Sequence, residues 1–157
     1  MLKVPLLLDT KRMAIHDGPG MRTTFFVKGC PLHCVWCHNP ESQKKEPQLM
    51  FNKAKCTGCG ECAMVCGNTF TASCTACGKC AAVCKYGARK IAGKEYSVDE
   101  VFNIVVRDKA FYDTSGGGVT LSGGEPLLQI DFAAELLKKC RENGISTAVE
   151  TAANVPW

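Results

Sequence analysis

Residues 23–37 read TTFFVKGCPLHCVWC and combine an apolar run with three closely spaced cysteines. The first part of this stretch is β-branched and aromatic and stops at a glycine, which predicts a buried strand over residues 23–27. Three cysteines, Cys30, Cys34 and Cys37, follow at once and therefore fall on the loop after that strand. The sequence thus begins with a strand that presents a cysteine group at its carboxyl end.

The second half of the chain alternates helices and strands. Ser97 and Glu100 form a capping-box pattern that predicts the start of a helix. A short strand at residues 119–121 and a second helix, capped by Asp131 and ended by Asn143-Gly144, come next. A third strand is predicted over residues 145–149. Repeated βα units indicate an α/β fold with a parallel sheet.

Three chemically notable groups follow the three predicted strands. They are the Cys30 group, the loop Gly123-Gly124-Glu125 and the pair Glu150-Thr151. Sites in parallel α/β folds lie at the carboxyl ends of the strands, so these groups are expected to meet in one site.

The cysteine count points to metal. Eleven of the 12 cysteines fall into three tight groups, and two of these groups repeat the spacing CxxCxxCxxxC, the second copy starting 18 residues after the first. Closely spaced groups of this kind suit iron–sulfur clusters better than disulfides. A zinc ribbon would explain a lone CxxC pair, but it does not explain eight cysteines with this spacing. The remaining Cys140 lies on an apolar helix face and is predicted to be a core thiol.

The Cys30 group supplies three thiolates and no fourth, which would leave one iron of a four-iron cluster open, as a catalytic zinc keeps one position open. The alternatives are a zinc site completed by His33 or His38, or buried free thiols.

The loop Gly123-Gly124-Glu125 is a second candidate site. Its glycines allow a ligand to approach the backbone, and its carboxylate can pair with an ammonium group. The alternative there is a plain tight turn.

Length, hydrophobic content and charge argue against a membrane protein and against a nucleic-acid-binding protein. The chain has 157 residues, is 46% hydrophobic and carries a formal net charge of +4. No apolar run approaches the roughly 18 residues of a membrane helix, and the apolar segment at residues 4–8 is too short for a signal peptide, so no membrane contact and a cytoplasmic location are expected. Cluster-bound thiolates would offset the positive charge. The sequence also lacks the basic stripe with interleaved aromatic residues that is typical of nucleic-acid binding.

Three segments carry a family resemblance: IHDGPGMR at residues 15–22, KGCPLHCVWCHNPES at residues 28–42 and GGVTLSGGEPL at residues 117–127. They resemble the radical-SAM superfamily and, within it, the activating enzymes of glycyl radical enzymes that carry a two-cluster ferredoxin-like insert. The resemblance implies a partial (βα) barrel comprising the first three strands, in residues 1–51 and 93–157. The ferredoxin-like insert would occupy residues 52–92.

The same resemblance implies cofactors and roles. The cluster held by Cys30, Cys34 and Cys37 would bind S-adenosylmethionine (SAM) through its open iron and cleave it reductively. Gly123, Gly124 and Glu125 correspond to the loop that contacts the methionine amino group of SAM. Trp36 corresponds to an aromatic position near the adenine; the alternative for this residue is ordinary core packing. His38 corresponds to a position near SAM. The pair Glu150-Thr151 corresponds to an Asp-Thr pair at a monovalent-cation site.

The doubled motif resembles bacterial two-cluster ferredoxins, in which the fourth cysteine of each run binds the other cluster. Gly67 and Lys85 stand where those ferredoxins usually have proline. The implied total is three [4Fe-4S] clusters, of which the two in the insert are closed and suit electron relay. One set of ligands is Cys56, Cys59, Cys62 and Cys84, and the other is Cys66, Cys74, Cys77 and Cys80.

The implied function is abstraction of a hydrogen atom from a backbone glycine of a partner glycyl radical enzyme, with flavodoxin or ferredoxin as reductant. The alternatives are a ferredoxin-like electron carrier and a radical-SAM enzyme with a small-molecule substrate. The chain stops at Trp157, just after the third strand, whereas a full barrel needs roughly 200 residues or more. A fragment, a truncated gene product or one half of a split protein is therefore expected.

Overall fold

The computed structural model of the protein describes residues 6–66 and 73–156. The chain divides into two units, one formed by Met1–Glu46 with Gly93–Trp157 and the other by Pro47–Ala92. The elements in chain order are β1 (Leu6–Ala14), β2 (Arg22–Val27), β3 (Gln48–Phe51), α1 (Glu61–Val65), α2 (Lys79–Ala82), β4 (Arg89–Ala92), β5 (Lys94–Glu95), α3 (Val98–Arg107), α4 (Lys109–Ser115), β6 (Gly118–Gly123), α5 (Ile130–Glu142) and β7 (Ser146–Val149).

The first unit contains a five-stranded sheet in the order β5-β1-β2-β6-β7. Strands β2, β6 and β7 are the three that the sequence predicts, and they pair in parallel. The α/β class is therefore confirmed. Strands β1 and β5 pair antiparallel at the other side of β2 and make the sheet mixed. The sequence did not predict β1, because its residues LLLDTKRMA combine charged positions with few β-branched ones, so pairing with β2 decides its conformation.

One face of this sheet carries the apolar core. Alternate side chains of β2 and β6 point to the same side because the two strands pair in parallel register, with Phe25 opposite Leu121. The helices α3 and α5 cover them with buried apolar side chains, which places the core between sheet and helices. The core includes Phe25, Val27, Val119, Leu121, Val101, Val105, Leu136 and Cys140.

A buried polar group ties β1 and β2 to helix α4. The carboxylate of Asp108, which is fully buried, accepts hydrogen bonds from the Arg12 guanidinium and, at 2.8 Å, from the Thr23 hydroxyl. The Tyr112 hydroxyl donates in turn to Thr23 at 2.6 Å. The bond from Arg12 lowers the pKa of Asp108 below its usual value, and burial raises the pKa of Tyr112 to about 12. The network holds β1 and β2 to α4, and the charge of Asp108 is balanced by Arg12 and does not stand unpaired in the core.

The helix ends agree with the sequence at two positions and differ at one. The capping box of Ser97 and Glu100 is confirmed, and Asn143 ends α5, with Gly144 after it at φ 71°. The prediction that Asp131 caps α5 is wrong, because a 3-10 helix over Pro126–Gln129 leads directly into α5 and places Asp131 inside the first turn. A carboxylate in the first turn still interacts favourably with the helix dipole.

The second unit is closed by antiparallel pairing of β3 with β4. It comprises Pro47–Ala92, and β3 lies in the stretch that the sequence assigned to a linker. The internal repeat is visible in the backbone. Helices α1 and α2 each follow a left-handed glycine, Gly60 and Gly78, that lies between the second and third cysteine of its motif. Gly67, one of the two positions that depart from the ferredoxin pattern, lies outside the described residues.

Within residues 6–66 and 73–156, no helix combines the length and apolar character needed to cross a membrane.

Candidate functional site

The loop that carries the first cysteine group is closed at its base by two short backbone segments. Gly29 N–H donates to the Ser42 carbonyl at 2.6 Å, and Cys30 N–H donates to the Gln43 carbonyl at 3.0 Å. The buried Lys28 ammonium donates to the Glu41 carbonyl, and burial lowers the pKa of this lysine. We call residues 28–30 with 41–43 the clasp. It fixes both ends of the cysteine loop to the carboxyl end of β2.

The three cysteines of this loop are half-buried. Cys37 N–H donates to the Cys34 carbonyl at 3.1 Å, which turns the backbone between these two residues. The Trp36 side chain is 81% exposed, so it is not packed into the core, and His38 is also exposed. Among the described residues, no three Cys, His, Asp or Glu side chains converge as they would on a single metal ion.

The Gly123-Gly124-Glu125 loop docks on the clasp through its backbone. Gly124 N–H donates to the Val27 carbonyl at 2.9 Å, and Glu125 N–H donates to the Gly29 carbonyl at 2.8 Å. A Cβ at Gly124 would lie 2.2 Å from the Gly29 oxygen, and one at Gly123, where φ is 100°, would lie 2.6 Å from the Val27 backbone nitrogen. Both glycines are therefore required for the close approach of this loop to the cysteine loop.

The Glu125 side chain joins this loop to the one after β7. Its carboxylate is only 1% exposed and accepts hydrogen bonds from Leu127 N–H at 3.1 Å, the Thr151 hydroxyl at 2.6 Å and Ala152 N–H at 3.0 Å. The sequence singled out Glu125 and Thr151 but did not predict that they bond to each other, since nothing local in either motif indicates a partner 26 residues away.

The end of β7 is also linked to β6. Glu150 N–H donates to the Leu121 carbonyl at 2.9 Å, and the Glu150 carboxylate accepts from the Ser122 hydroxyl at 2.5 Å. The three groups that follow the predicted strands are thus brought to one edge of the sheet. The cysteine loop, the Gly-Gly-Glu loop and the Glu150-Thr151 pair are connected by hydrogen bonds in that order.

The segment around Asp17 lies against the polar face of the sheet, opposite the core. The Asp17 carboxylate accepts from the Thr24 hydroxyl at 2.6 Å, and its carbonyl accepts from the Thr120 hydroxyl at 2.7 Å. Arg22 is buried there and donates to the Pro19 and Val119 carbonyls, and burial lowers its pKa. The sequence identified this segment only by resemblance; the contacts give it a structural role beside the site.

In the second unit, two cavities divide the eight cysteines into two groups of four. One cavity is lined by Cys56, Cys59, Cys62 and Cys84. The other, of about 250 Å³, is lined by Cys66, Cys74, Cys77 and Cys80. These are the same two sets that the ferredoxin resemblance implies, and four thiols around one cavity are a donor set that fits a [4Fe-4S] cluster.

The surroundings of Cys84 favour a thiolate. Backbone N–H groups of the following turn point at its sulfur, that of Arg89 having the largest effect, and they lower the pKa of the Cys84 thiol. Thiolates are the form that binds iron, so the lowered pKa suits the ligand role that the sequence predicts for Cys84. Cys140 differs, because complete burial in the core raises the pKa of its thiol to about 11.

Comparison with known proteins identifies the family. The family described as "4Fe-4S single cluster domain" matches residues 16–153. The chain belongs to this family. The match covers the cysteine loop, the second unit and both later loops of the site. As a member of the 4Fe-4S single cluster domain family, the chain has a fold and a cysteine loop consistent with iron–sulfur binding.

Curated relatives of this 4Fe-4S domain protein are activating enzymes, which confirms the resemblance stated from the motifs. The benzylsuccinate synthase activating enzyme of Thauera aromatica is 45% identical over 167 aligned positions, covering 96% of this chain and 50% of the relative. The trans-4-hydroxy-L-proline dehydratase activating enzyme of Clostridioides difficile is 46% identical, covering 94% and 53%. The choline trimethylamine-lyase activating enzyme of Oleidesulfovibrio alaskensis is 40% identical, covering 93% and 52%. The chain spans about half the length of these relatives.

Proposed function

We propose that this chain provides the cluster-binding part of a radical-SAM activating enzyme for a glycyl radical enzyme. The observation that carries the proposal is the backbone link between the Gly-Gly-Glu loop and the cysteine loop, from Glu125 N–H to the Gly29 carbonyl at 2.8 Å. This link brings two motifs that are far apart in sequence to one edge of the sheet. The similarity to activating enzymes supports the same role.

Each part of the site has a task in this proposal. Cys30, Cys34 and Cys37 would hold a [4Fe-4S] cluster and leave its fourth iron open for SAM. A cluster held there would, when reduced, supply the electron for cleavage of SAM, the chemistry that allows a hydrogen atom to be removed from the partner's glycine. The clasp fixes the cysteine loop, while Gly123 and Gly124 let the next loop lie against it. The loop of Gly123, Gly124 and Glu125 would contact the methionine amino group through its backbone, since the Glu125 carboxylate is buried and bonded to Thr151 and Ala152. The exposed Trp36 and His38 would lie near the rest of SAM.

The fold proposal has two parts. The sheet of β2, β6 and β7 with its helices would be the first three strands of a radical-SAM barrel, and the unit around residues 52–92 would be a ferredoxin-like insert with two further [4Fe-4S] clusters. The two cavities, each with four cysteines, support the insert proposal. Both insert clusters would have four ligands, which suits electron relay. Flavodoxin or ferredoxin would be the reductant, and a reducing cytoplasm would keep the thiols available.

Anaerobic reconstitution tests the proposal. We expect about twelve irons per chain, four per cluster, and a change in the electron paramagnetic resonance spectrum of the reduced protein when SAM is added. The variant with Cys30→Ala, Cys34→Ala and Cys37→Ala should bind about eight irons and give no change with SAM. About eight irons in the unaltered protein, with a spectrum indifferent to SAM, would instead identify a ferredoxin-like electron carrier.

A second measurement separates activation of a protein from reaction with a small molecule. A candidate glycyl radical enzyme carrying glycine deuterated at Cα should transfer deuterium to 5′-deoxyadenosine when it is incubated with SAM and the reduced activating enzyme. Deuterium in the product, together with a glycyl radical signal, supports the activating role. Cleavage of SAM without either would favour a small-molecule substrate.

A further inference from the structure

The second unit has many more cations than carboxylates. Between Pro47 and Ala92 there is one carboxylate, Glu61, and it accepts a hydrogen bond from Lys85 at 2.8 Å. Because the single carboxylate is already paired, the Lys and Arg side chains of this unit carry an excess of positive charge before the charge of bound clusters is counted. The cations of the unit are Lys53, Lys55, Lys79, Lys85, Arg89 and Lys90.

The two cysteine cavities have different surroundings. The cavity of Cys56, Cys59, Cys62 and Cys84 is also lined by two cations, Lys55 and Arg89, and by the rings of Phe51 and Tyr86. The carboxylate of Glu61 lines it too, and this carboxylate is paired with Lys85. The cavity of Cys66, Cys74, Cys77 and Cys80 is lined instead by Leu49, Val65 and Ile91, with Lys79 as its one lining cation among the described residues. The first cavity is therefore the one with an aromatic rim, and the two cations of that rim outnumber its one carboxylate.

The first cavity is also the more open at its cysteines. Cys56 and Cys59 are exposed, whereas in the second cavity Cys80 is buried and only Cys77 is exposed. An electron crossing between proteins must arrive close to the cluster, so exposed ligands mark the side from which a donor can approach.

The rim has the composition of a docking surface. Phe51 is 42% exposed and Tyr86 is 55% exposed, and the Arg89 guanidinium lies 5.4 Å from the centre of the Phe51 ring. Aromatic groups beside arginine are enriched at protein interfaces, and a charged border steers the partner. We name Phe51, Lys55, Tyr86 and Arg89 the docking rim.

We infer that an acidic one-electron carrier protein binds the docking rim and reduces the cluster held by Cys56, Cys59, Cys62 and Cys84. The inference rests on the proposed function in one respect, that these cysteines hold a cluster. The carrier is oxidised by one electron and the cluster is reduced by one electron, with no bond formed or broken. The cluster of the second cavity is the internal member of the pair, because among the described residues no aromatic rings line that cavity and only one of its four cysteines is exposed.

The test measures how fast the reconstituted protein is reduced by a reduced acidic flavodoxin, using the loss of cluster absorbance in a stopped-flow instrument. Lys55→Glu should slow the reaction about tenfold at low ionic strength, because the reversal replaces attraction with repulsion. The difference should fade as salt rises to about 0.5 M, where such charges are screened.

Lys90→Glu is the matched control. It makes the same change of charge in the same unit, but Lys90 lies between Arg89 and Ile91 on β4, so its side chain points to the other face of the strand and lines neither cavity. It should change the rate by less than about twofold. Equal slowing by both variants, no slowing by Lys55→Glu, or a difference that salt does not remove would overturn the inference.

Two further measurements keep the result decisive. Lys55→Glu should retain the iron content of the unaltered protein and be reduced at an unchanged rate by photoreduced 5-deazaflavin, a small donor that needs no docking surface. If Lys55→Glu loses iron, the variant Lys55→Gln is used in its place, and we expect it to slow reduction about threefold. An unchanged rate in Lys55→Gln would overturn the inference. None of these measurements uses SAM or the Cys30 loop, so failure of the activating function would leave them interpretable.

Discussion

The hydroxyl of Thr151 donates a 2.6 Å hydrogen bond to the carboxylate of Glu125, and this bond joins the loops that follow two neighbouring parallel strands. Glu125 is almost fully buried, and the same carboxylate receives the Ala152 N–H at 3.0 Å. The Glu125 backbone N–H in turn bonds to Gly29 in the clasp. One residue therefore links all three loops of the candidate site.

The first prediction concerns this bond. Thr151→Val removes the hydroxyl and should lower the free energy of unfolding by about 1 kcal/mol, the usual contribution of such a hydrogen bond. It should also weaken the spectral response to SAM, since the Gly-Gly-Glu loop loses one of its supports. Urea unfolding and titration with SAM under anaerobic conditions measure the two effects. Thr151→Ser keeps the hydroxyl, and an equal loss in that variant would contradict the role given to the bond.

The second prediction concerns the approach of the two loops at Gly124. Gly124→Ala places a methyl group 2.2 Å from the Gly29 oxygen, so the loops must separate. We expect loss of the Cys30 cluster, about four of the irons, while the insert keeps its own. Gly144→Ala is the control, because Gly144 has a positive φ of 71° but nothing within 4 Å of the added carbon. Iron analysis that finds the same content in both variants would refute the prediction.

The third prediction is a pH dependence of stability. Because Arg12 and Thr23 stabilise its charged form, Asp108 has a lowered pKa in the folded chain. Its contribution is therefore fully present above the ordinary Asp pKa of about 4 and is lost as the pH falls below it. Asp108→Asn should cost about 1–3 kcal/mol at pH 7.

Thermal unfolding of the iron-free chain by circular dichroism checks this dependence. The difference between the unaltered protein and Asp108→Asn should narrow below about pH 4. Lys109 and Asp113 form an exposed pair on the same helix, so Asp113→Asn provides a control with little expected effect. A difference that stays constant from pH 7 to about pH 3 would show that the charge of Asp108 is not what stabilises the network.

The fourth prediction separates ligand cysteines from the core cysteine. Cys84→Ala should remove one insert cluster, about four irons, whereas Cys140→Ala should leave the iron content unchanged. In the iron-free chain, Cys140 should resist alkylation at pH 8, because it is fully buried and its thiol pKa is raised to about 11. Peptide mass mapping after brief alkylation identifies the protected thiol. Rapid labelling of Cys140 would contradict the burial argument.

Much of the sheet could be predicted from the sequence, since the signals are local. The strand at β2, the capping box at Ser97 and the glycine after α5 each depend on a few adjacent residues. Strands β1 and β3 could not be predicted, because each forms by pairing with another strand of the chain. The wrong cap at Asp131 has the same origin, since the preceding 3-10 helix sets where α5 begins.

The sequence by itself determined the number and spacing of the cysteines, the order of the three parallel strands and the helices between them, and the excess of cations in the second unit. Tertiary structure decided which distant groups meet: Glu125 with Thr151, Gly124 with Gly29, and the docking rim with the cavity of Cys56, Cys59, Cys62 and Cys84. The physical reason is that spacing and propensity act within a few residues. Hydrogen-bond partners and cavity walls are chosen by chain segments that come together only when the sheet has formed.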